Sequence, residues 1–391
     1  MPHLLWRLAV VTPSTSAPPP EFEIGAEPIG GDTPAVMQET LQGLVEEAKA
    51  RDSSALAVVR EGGLLIDWAE HGDQPIELMS CTKLIVAITA GAAIGARAVD
   101  LLDAPLATVV PDWSGLPPSV TLSSLLSHAS GLKPVAAYEV YRAEDIVAQA
   151  LALPYDETLV GRNAYNNSAI NLVGGLVAHL SGQPFADAAA DALFRPLGWS
   201  RWNWQRDVRG NAYCFAGLEA TARDAARAAD LLLHDPSGLL PEGWAEAVRT
   251  RGLSCYGQPA WINAEITEEL LAEWTGGGVD SAIVAAARPM IGRSMEFGVY
   301  FAELTRRLGE AGLKPGDWGA QVAGGGLRRA HVTSGDRVGA GHDGDGGQQL
   351  LVLPDHGVAA CRLRIVGPEA DRAGPAMWSS FPGALAAAVG S

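Results

Sequence analysis

The chain of 391 residues is 48% hydrophobic and sets 45 Asp and Glu against 28 Lys and Arg, for a net charge of −17. That composition fits a globular enzyme and little else, with core enough for one large or two closely joined domains. The acidic balance excludes nucleic acid and anionic membrane as partners, since neither would meet a basic footprint.

In chain order, residues 4–11 are apolar only briefly and are broken by Arg7, and residues 13–20 read as a Pro/Ser/Thr tail. No export signal and no bilayer-spanning run is evident, so the expectation is a soluble, cytoplasmic protein with a flexible extension over 1–31. Asp32 or Thr33 caps a helix with Pro34 in its first turn, and Met37, Leu41, Leu44, Val45 and Ala48 trace its apolar face. Residues 55–60 and 64–69, joined by Glu61-Gly62-Gly63, predict a β-hairpin. Ser80-Cys81-Thr82-Lys83 then leads into the apolar run 84–90, a buried helix that Ser80 opens.

A mostly helical lobe follows over 120–250. Within it, Trp199, Trp202 and Trp204 crowd one loop and read as packing between lobes, with an apolar acyl pocket as the alternative. His128, in the turn Ser127-His128-Ala129, reads as structural. Residues 251–337 hold two glycine triplets and two helical stretches, 267–274 and 297–311, and read as a binding-region insertion or lid. The chain returns to strands at 348–353 and 357–365, turned by Pro354-Asp355-His356, and ends in a helix over 383–389.

This order predicts an α/β fold of the α+β type. An antiparallel sheet flanked by helices (32–119 and 338–391) is joined to the helical lobe, with the site at their junction. The four cysteines, Cys81, Cys214, Cys255 and Cys361, are widely spaced and form no C-x-x-C pair. A zinc or redox motif is therefore absent, a reduced compartment is expected, and Cys81 reads as a small buried filler.

Three segments carry chemistry. Residues three apart on a helix share a face, so the Lys83 amine reaches the Ser80 hydroxyl, and burial or neighbouring charge turns such a lysine into a base. Backbone N–H groups at the helix start face a developing oxyanion. Tyr165-Asn166-Asn167 lies in a polar loop entering an apolar helix over 172–180. A tyrosine near a lysine relays a proton, and Asn167 can hold an acyl amide or steady the lysine. Gly341-His342-Asp343-Gly344-Asp345-Gly346-Gly347 precedes a strand, where glycines admit a close approach and a backbone N–H can complete an oxyanion hole.

Together these segments resemble the serine β-lactamase and penicillin-binding-protein superfamily, in its class C-like branch of β-lactamases, esterases, D-amino-acid peptidases and amide hydrolases. Its motifs S-x-x-K, Y-x-N and H-x-G are matched by Ser80/Lys83, Tyr165/Asn167 and His342/Gly344. The stretches 99–106, 111–113, 120–132 and 221–233 resemble the family's connecting text, so the resemblance covers roughly 34–250 and 338–365.

The resemblance implies a β-lactamase/transpeptidase-like fold and catalysis by Ser80, Lys83 and Tyr165. It also implies substrate binding by Asn167, His342, Gly344 and Asp345, with no metal or organic cofactor. The implied partner is a small-molecule ester, amide or lactam, and an amine acceptor if the enzyme is a transacylase. A catalytically silent ligand-binding relative is the other alternative. His342 stands where the β-lactamases and transpeptidases carry a lysine that anchors a substrate carboxylate, which favours an ester or amide over a penicillin. Asp345 occupies the position whose N–H would meet the oxyanion and Asp343 lies just before it, a cost unless the two carboxylates point away or meet a cationic substrate.

Overall fold

The computed structural model describes residues 35–162, 164–251, 262–276, 278–293, 295–313, 331–334, 340–366, 378 and 381–390. A five-stranded antiparallel sheet is its centre. The strands are β1 (Ala55–Arg60), β2 (Gly63–Ala69), β3 (Ala340–Gly344), β4 (Gln348–Leu353) and β5 (Val358–Leu363), in the spatial order β3-β4-β5-β1-β2. The first and last parts of the chain thus meet in one sheet, through β1 on β5 with Ala55 opposite Leu363 and Arg60 opposite Val358. The hairpin predicted at 55–69 is present, with a register irregularity at Val58/Val59.

Strand periodicity divides the core in two. Leu56, Val58, Leu351, Leu353, Val358 and Ala360 face helices α1 (Ala35–Ala50) and, at the C-terminal end, Phe381–Gly390. Leu41, Leu44, Val45 and Ala48 of α1 fill that side as the sequence pattern requires, while the proposed cap at 32–33 lies outside the described residues. Ala57, Val59, Leu350, Val352, Ala359 and Cys361 face the other way, toward α2 (Thr82–Ile94) and the helical lobe. Because β5 is buried on both faces, its sequence reads as a nearly continuous apolar run.

Helix α2 is buried from Thr82 through Gly91, which explains its lack of a polar face. Trp244 closes one side, its indole N–H donating to the Ala87 carbonyl at 3.0 Å. Around α2 stand α3 (Asn171–Ser181) and α4 (Ala222–Asp230), the latter lying against the sheet. The lobe read as helical also contains short strands at Ser130–Leu132 paired with Tyr155–Val160, and Asn203–Trp204 paired with Leu218–Ala220. Tyr155–Val160 is mostly exposed and so lacked the apolar alternation that would mark a half-buried strand.

The tryptophan loop is a packed cluster. Trp199 stacks on Phe194 with centroids 4.2 Å apart, Trp202 meets the same ring edge-on at 4.9 Å, and Trp204 packs on Phe185 at 5.1 Å. Farther on, helices Glu268–Gly276, Ser281–Ala287 and Phe297–Glu310 share a small core with Ile266, Leu271, Trp274, Met290 and Leu308. A separate three-stranded sheet, His331–Ser334, Ile262–Glu265 and Met295–Glu296, belongs to this stretch. The Gly324-Gly325-Gly326 triplet lies outside the described residues. Among the described residues, no helix is long and apolar enough to cross a membrane.

Candidate active site

The structure corrects the sequence reading of the nucleophile: Ser80 does not open the α-helix but occupies a 3₁₀ turn, Met79–Cys81, with α2 beginning at Thr82. Met79 has φ +49°, a left-handed conformation that costs a non-glycine residue on the order of 1 kcal/mol and persists only when its surroundings enforce it. Two neighbours do so. On one side, the Leu78 N–H donates to the Leu218 carbonyl at 2.8 Å, and Ile76–Glu77 pairs with Leu218–Ala220. On the other, β3 presses against the turn: a Cβ on Gly344 would sit 2.7 Å from the Leu78 carbonyl oxygen and 2.9 Å from Met79 Cβ. Gly344 is therefore the residue that lets the sheet edge reach the turn that carries Ser80.

Three of the expected catalytic groups converge. Lys83 Nζ donates to Ser80 Oγ at 3.1 Å and to Tyr165 Oη at 2.7 Å, while Ser80 Oγ and Tyr165 Oη are 2.8 Å apart. A third oxygen, the Phe215 carbonyl, accepts from Lys83 Nζ at 2.7 Å. Side-chain motifs could not reveal this partner, because its functional atom is backbone. Lys83 is only 1% exposed, whereas Tyr165 is 36% exposed, so the amine is sealed beneath a phenol that reaches solvent.

The Tyr165 loop is held from below by His128. The Asn166 N–H donates to His128 Nδ1 at 3.0 Å, and the Ala164 N–H donates to the His128 carbonyl at 2.8 Å. Accepting at Nδ1 places the imidazole proton on Nε2. Burial, reinforced by the Lys83 cation, lowers the His128 pKa to about 3, so the ring is neutral. Its centroid lies 4.8 Å from that of Tyr165. The structural reading of His128 is given its content here: it supports the Tyr165 loop.

The two asparagines of the loop divide their work. Asn166 is consumed locally, its Oδ1 accepting from the Ser168 and Ala169 N–H groups and its Nδ2 donating to the Leu132 carbonyl. Asn167 presents a buried Oδ1 with no hydrogen-bond partner among the described residues. An unmatched buried acceptor of this kind costs about 1–3 kcal/mol until a donor arrives. Asn171 ties the loop to the segment that carries Phe215, donating to the Asn167 carbonyl at 3.2 Å and accepting from the Cys214 N–H at 3.0 Å.

His342 lies on β3, the edge strand, with its ring centroid 6.4 Å from that of Tyr165. Its Nδ1 is 2.6 Å from the Asp343 carbonyl; a carbonyl only accepts, so Nδ1 carries the proton. Burial and the Lys83 cation hold the His342 pKa well below the usual imidazole value. His342 is thus a neutral residue, not a substitute for a fixed cation. Asp345 is solvent-exposed, and the Asp343 carboxyl accepts from Gln349 Nε2 at 3.4 Å on the sheet face shared with Arg362, away from Ser80, which relieves much of the conflict expected beside an oxyanion. Cys81 is fully buried, its thiol donates to the His342 carbonyl at 2.9 Å, and burial pushes its pKa well above normal. It fills space, as expected.

A model of the Beta-lactamase family matches residues 41–364. A search of curated proteins returns no significant match. Among solved structures, a novel penicillin-binding protein homolog from Caulobacter crescentus superposes with a TM-score of 0.54 at 16% identity, over 92% of this chain and 99% of that one. SurE in complex with D-Leu gives 0.54 at 19% identity, over 90% and 76% of the two chains. EstCE1, a hydrolase with promiscuous acyltransferase activity, gives 0.52 at 15% identity, over 91% and 99%. At these identities the likenesses establish the fold. Because the family model spans most of the chain, the chain belongs to the β-lactamase family of serine hydrolases.

Proposed function

We propose that the protein is a serine-dependent acyl-transfer enzyme that hydrolyses an ester or amide through a covalent acyl-Ser80 intermediate. The observation behind this reading is the triangle of Ser80 Oγ, Lys83 Nζ and Tyr165 Oη, all within hydrogen-bond reach. Lys83 as an ammonium donates to Ser80 Oγ, Tyr165 Oη and the Phe215 carbonyl, and the Ser80 hydroxyl then donates to Tyr165 Oη. Two donors converge on the phenol oxygen, an arrangement that suits a phenolate acting as base.

In the reaction, Tyr165 takes the Ser80 proton as Oγ attacks the carbonyl carbon. The tetrahedral oxyanion is met by the Ser80 and Asp345 backbone N–H groups. Collapse breaks the bond to the leaving alkoxide or amine, which receives that proton back through Tyr165 and Lys83. A water molecule then gives a proton to Tyr165 and attacks the acyl carbon, and Ser80 regains its proton as the acid leaves. Asn167 Oδ1 accepts from an amide N–H of the substrate, and His342 shapes the opposite wall.

The neutral state of His342 supports esters and amides over penicillins, because no fixed cation at that position awaits a ring carboxylate. A fluorophosphonate is expected to add one adduct mass to the peptide containing Ser80, with no labelling of a folded Ser80→Ala variant. Short-chain aryl esters are expected to turn over faster than penicillins. An adduct on Cys81, or efficient penicillin hydrolysis, would overturn the respective claim.

Transfer of the acyl group to an amine is the second reading. It is favoured by the exposed carboxylate of Asp345 on the third motif and by the acyltransferase activity ascribed to EstCE1. A cationic amine gathered there must shed a proton before attack. The expected result is an amide-to-acid product ratio that saturates with amine concentration; a ratio that only tracks each amine's solution reactivity leaves hydrolysis alone.

A further inference from the structure

Two buried arginines lie outside the catalytic cluster. Arg362, on β5, and Arg364, just past its end, are 0% and 1% exposed. Arg362 alternates with Ala360 and Val358 and so belongs to the sheet face packed on α1, the face away from α2 and Ser80. Both guanidinium groups reach the turn that joins β3 to β4. Arg362 Nη1 donates to the Gly347 carbonyl at 2.9 Å, and Arg364 Nη1 donates to the Gly346 carbonyl at 2.6 Å.

Each is fastened at its other end to residues 51–53. Arg362 donates through Nη2 to the Arg51 carbonyl at 2.9 Å and through Nε to Ser53 Oγ at 2.8 Å. Arg364 donates through Nε to the Asp52 carbonyl at 3.0 Å and through Nη2 to Asp52 Oδ2 at 2.6 Å. A planar fork that grips two chain segments at once is something lysine or a neutral donor does not provide.

The turn needs outside support. Gly346 and Gly347 have φ +83° and +94°, so the conformation demands glycine and the turn has no side chains there to lock it. Its own hydrogen bond runs from the Gly347 N–H to the Gly344 carbonyl at 3.2 Å. In a trans peptide the carbonyl and the following N–H point in opposite directions, so this bond turns the Asp345 N–H outward. Gly344, on the other side of that peptide, already rests against Leu78 and Met79 beside the nucleophile. Gln348 adds a further tie, accepting from the Arg364 N–H at 2.7 Å and donating to the Arg364 carbonyl at 2.8 Å.

We propose that Arg362 and Arg364 are positioning residues for acyl transfer, holding the 345–347 turn so that the Asp345 N–H meets the oxyanion formed above Ser80. The proposal rests on the acyl-Ser80 reading. It differs from a purely structural role in what it predicts for the tetrahedral state: loosening the turn weakens binding of that state more than binding of substrate.

Arg362→Gln and Arg364→Gln are each expected to lower kcat by roughly ten- to a hundredfold with KM changed less than about threefold, a fraction of the loss that removing an oxyanion donor causes. Affinity for a phenylboronic acid, whose tetrahedral serine adduct carries the oxyanion, should fall in parallel with kcat/KM. Should these variants not fold, Asp52→Asn and Ser53→Ala weaken the side-chain part of the rear anchorage, keep the Arg51 and Asp52 carbonyls and leave both arginines in place; a kcat loss of about two- to fivefold with a parallel loss of boronate affinity is then expected. Folded variants that keep wild-type kcat, or that lose kcat with boronate affinity unchanged, would overturn the proposal. Failure of wild-type Ser80 to label with fluorophosphonate would instead overturn the acyl-serine reading, so the two failures are separable.

Discussion

At the scale of single residues, the site turns on how one buried amine is divided among three oxygens. Lys83 is fixed by the Phe215 carbonyl as well as by Ser80 and Tyr165, so its N–H groups have little freedom to reorient. On the proposed mechanism, truncating it removes the charge that favours a phenolate at Tyr165, and removing the Tyr165 hydroxyl removes the base itself. Lys83→Ala and Tyr165→Phe are each expected to lower kcat by about 10²–10⁴-fold. The double variant should lose little more than the worse single one, since the two act as a unit. Single-turnover kinetics on an aryl ester measures this, and additive, small losses would place the base elsewhere.

Among the elements, glycines mark two kinds of close contact with different consequences. Gly344 lets β3 lie on the nucleophile turn, whereas Gly91 lets α2 lie on the Trp244 indole, where an added Cβ would collide with the ring. Gly344→Ala must move either the strand or the Leu78–Met79 backbone, and both carry the site. Gly91→Ala strains a helix packing remote from the chemistry. Each is expected to cost about 1–3 kcal/mol of stability by overpacking. Only Gly344→Ala should also lower kcat, by about tenfold or more, because about 1.4 kcal/mol of lost transition-state stabilisation is already tenfold. Urea unfolding and ester hydrolysis on the two proteins separate the cases; equal effects on kcat would contradict the assignment of β3 to the site.

For the molecule as a whole, buried neutral histidines tie stability to acid. His128 titrates near 3 in the folded chain and near 6.5 when unfolded, so between those values the unfolded state binds more protons. Stability therefore rises with pH across that window and is lost on acidification, at up to about 1.4 kcal/mol per pH unit from this residue. His342 acts in the same direction. Asp224 opposes them: burial raises its pKa to about 6, so the folded state binds more protons between 3.8 and 6 and stability falls as pH rises there. Asp224→Asn should steepen the pH dependence of urea-unfolding free energy between pH 4 and 6, and His128→Gln should flatten it. A slope unchanged in both would show that other groups control acid unfolding.

Much of this protein was legible in its sequence because local patterns carry it. The heptad-like face of α1, the hairpin at 55–69, the apolar run of α2 and the spacing of Ser80 and Lys83 are each set by neighbours within a few residues. The same logic does not reach contacts whose functional atom is backbone or whose partner is remote. The Phe215 carbonyl on Lys83, the His128 ring under the Tyr165 loop and the pressure of Gly344 on Met79 join residues separated by 38 or more positions. Arg362 and Arg364 are spaced two apart at the end of the chain's apolar strand 357–365, and what they hold depends on which turn the sheet brings to them. Local periodicity decided the elements and the pairing of Ser80 with Lys83. Tertiary packing decided which oxygens share the lysine, which asparagine is left with an open acceptor and what holds the 345–347 turn, because those are matters of distance between segments that the chain order does not encode.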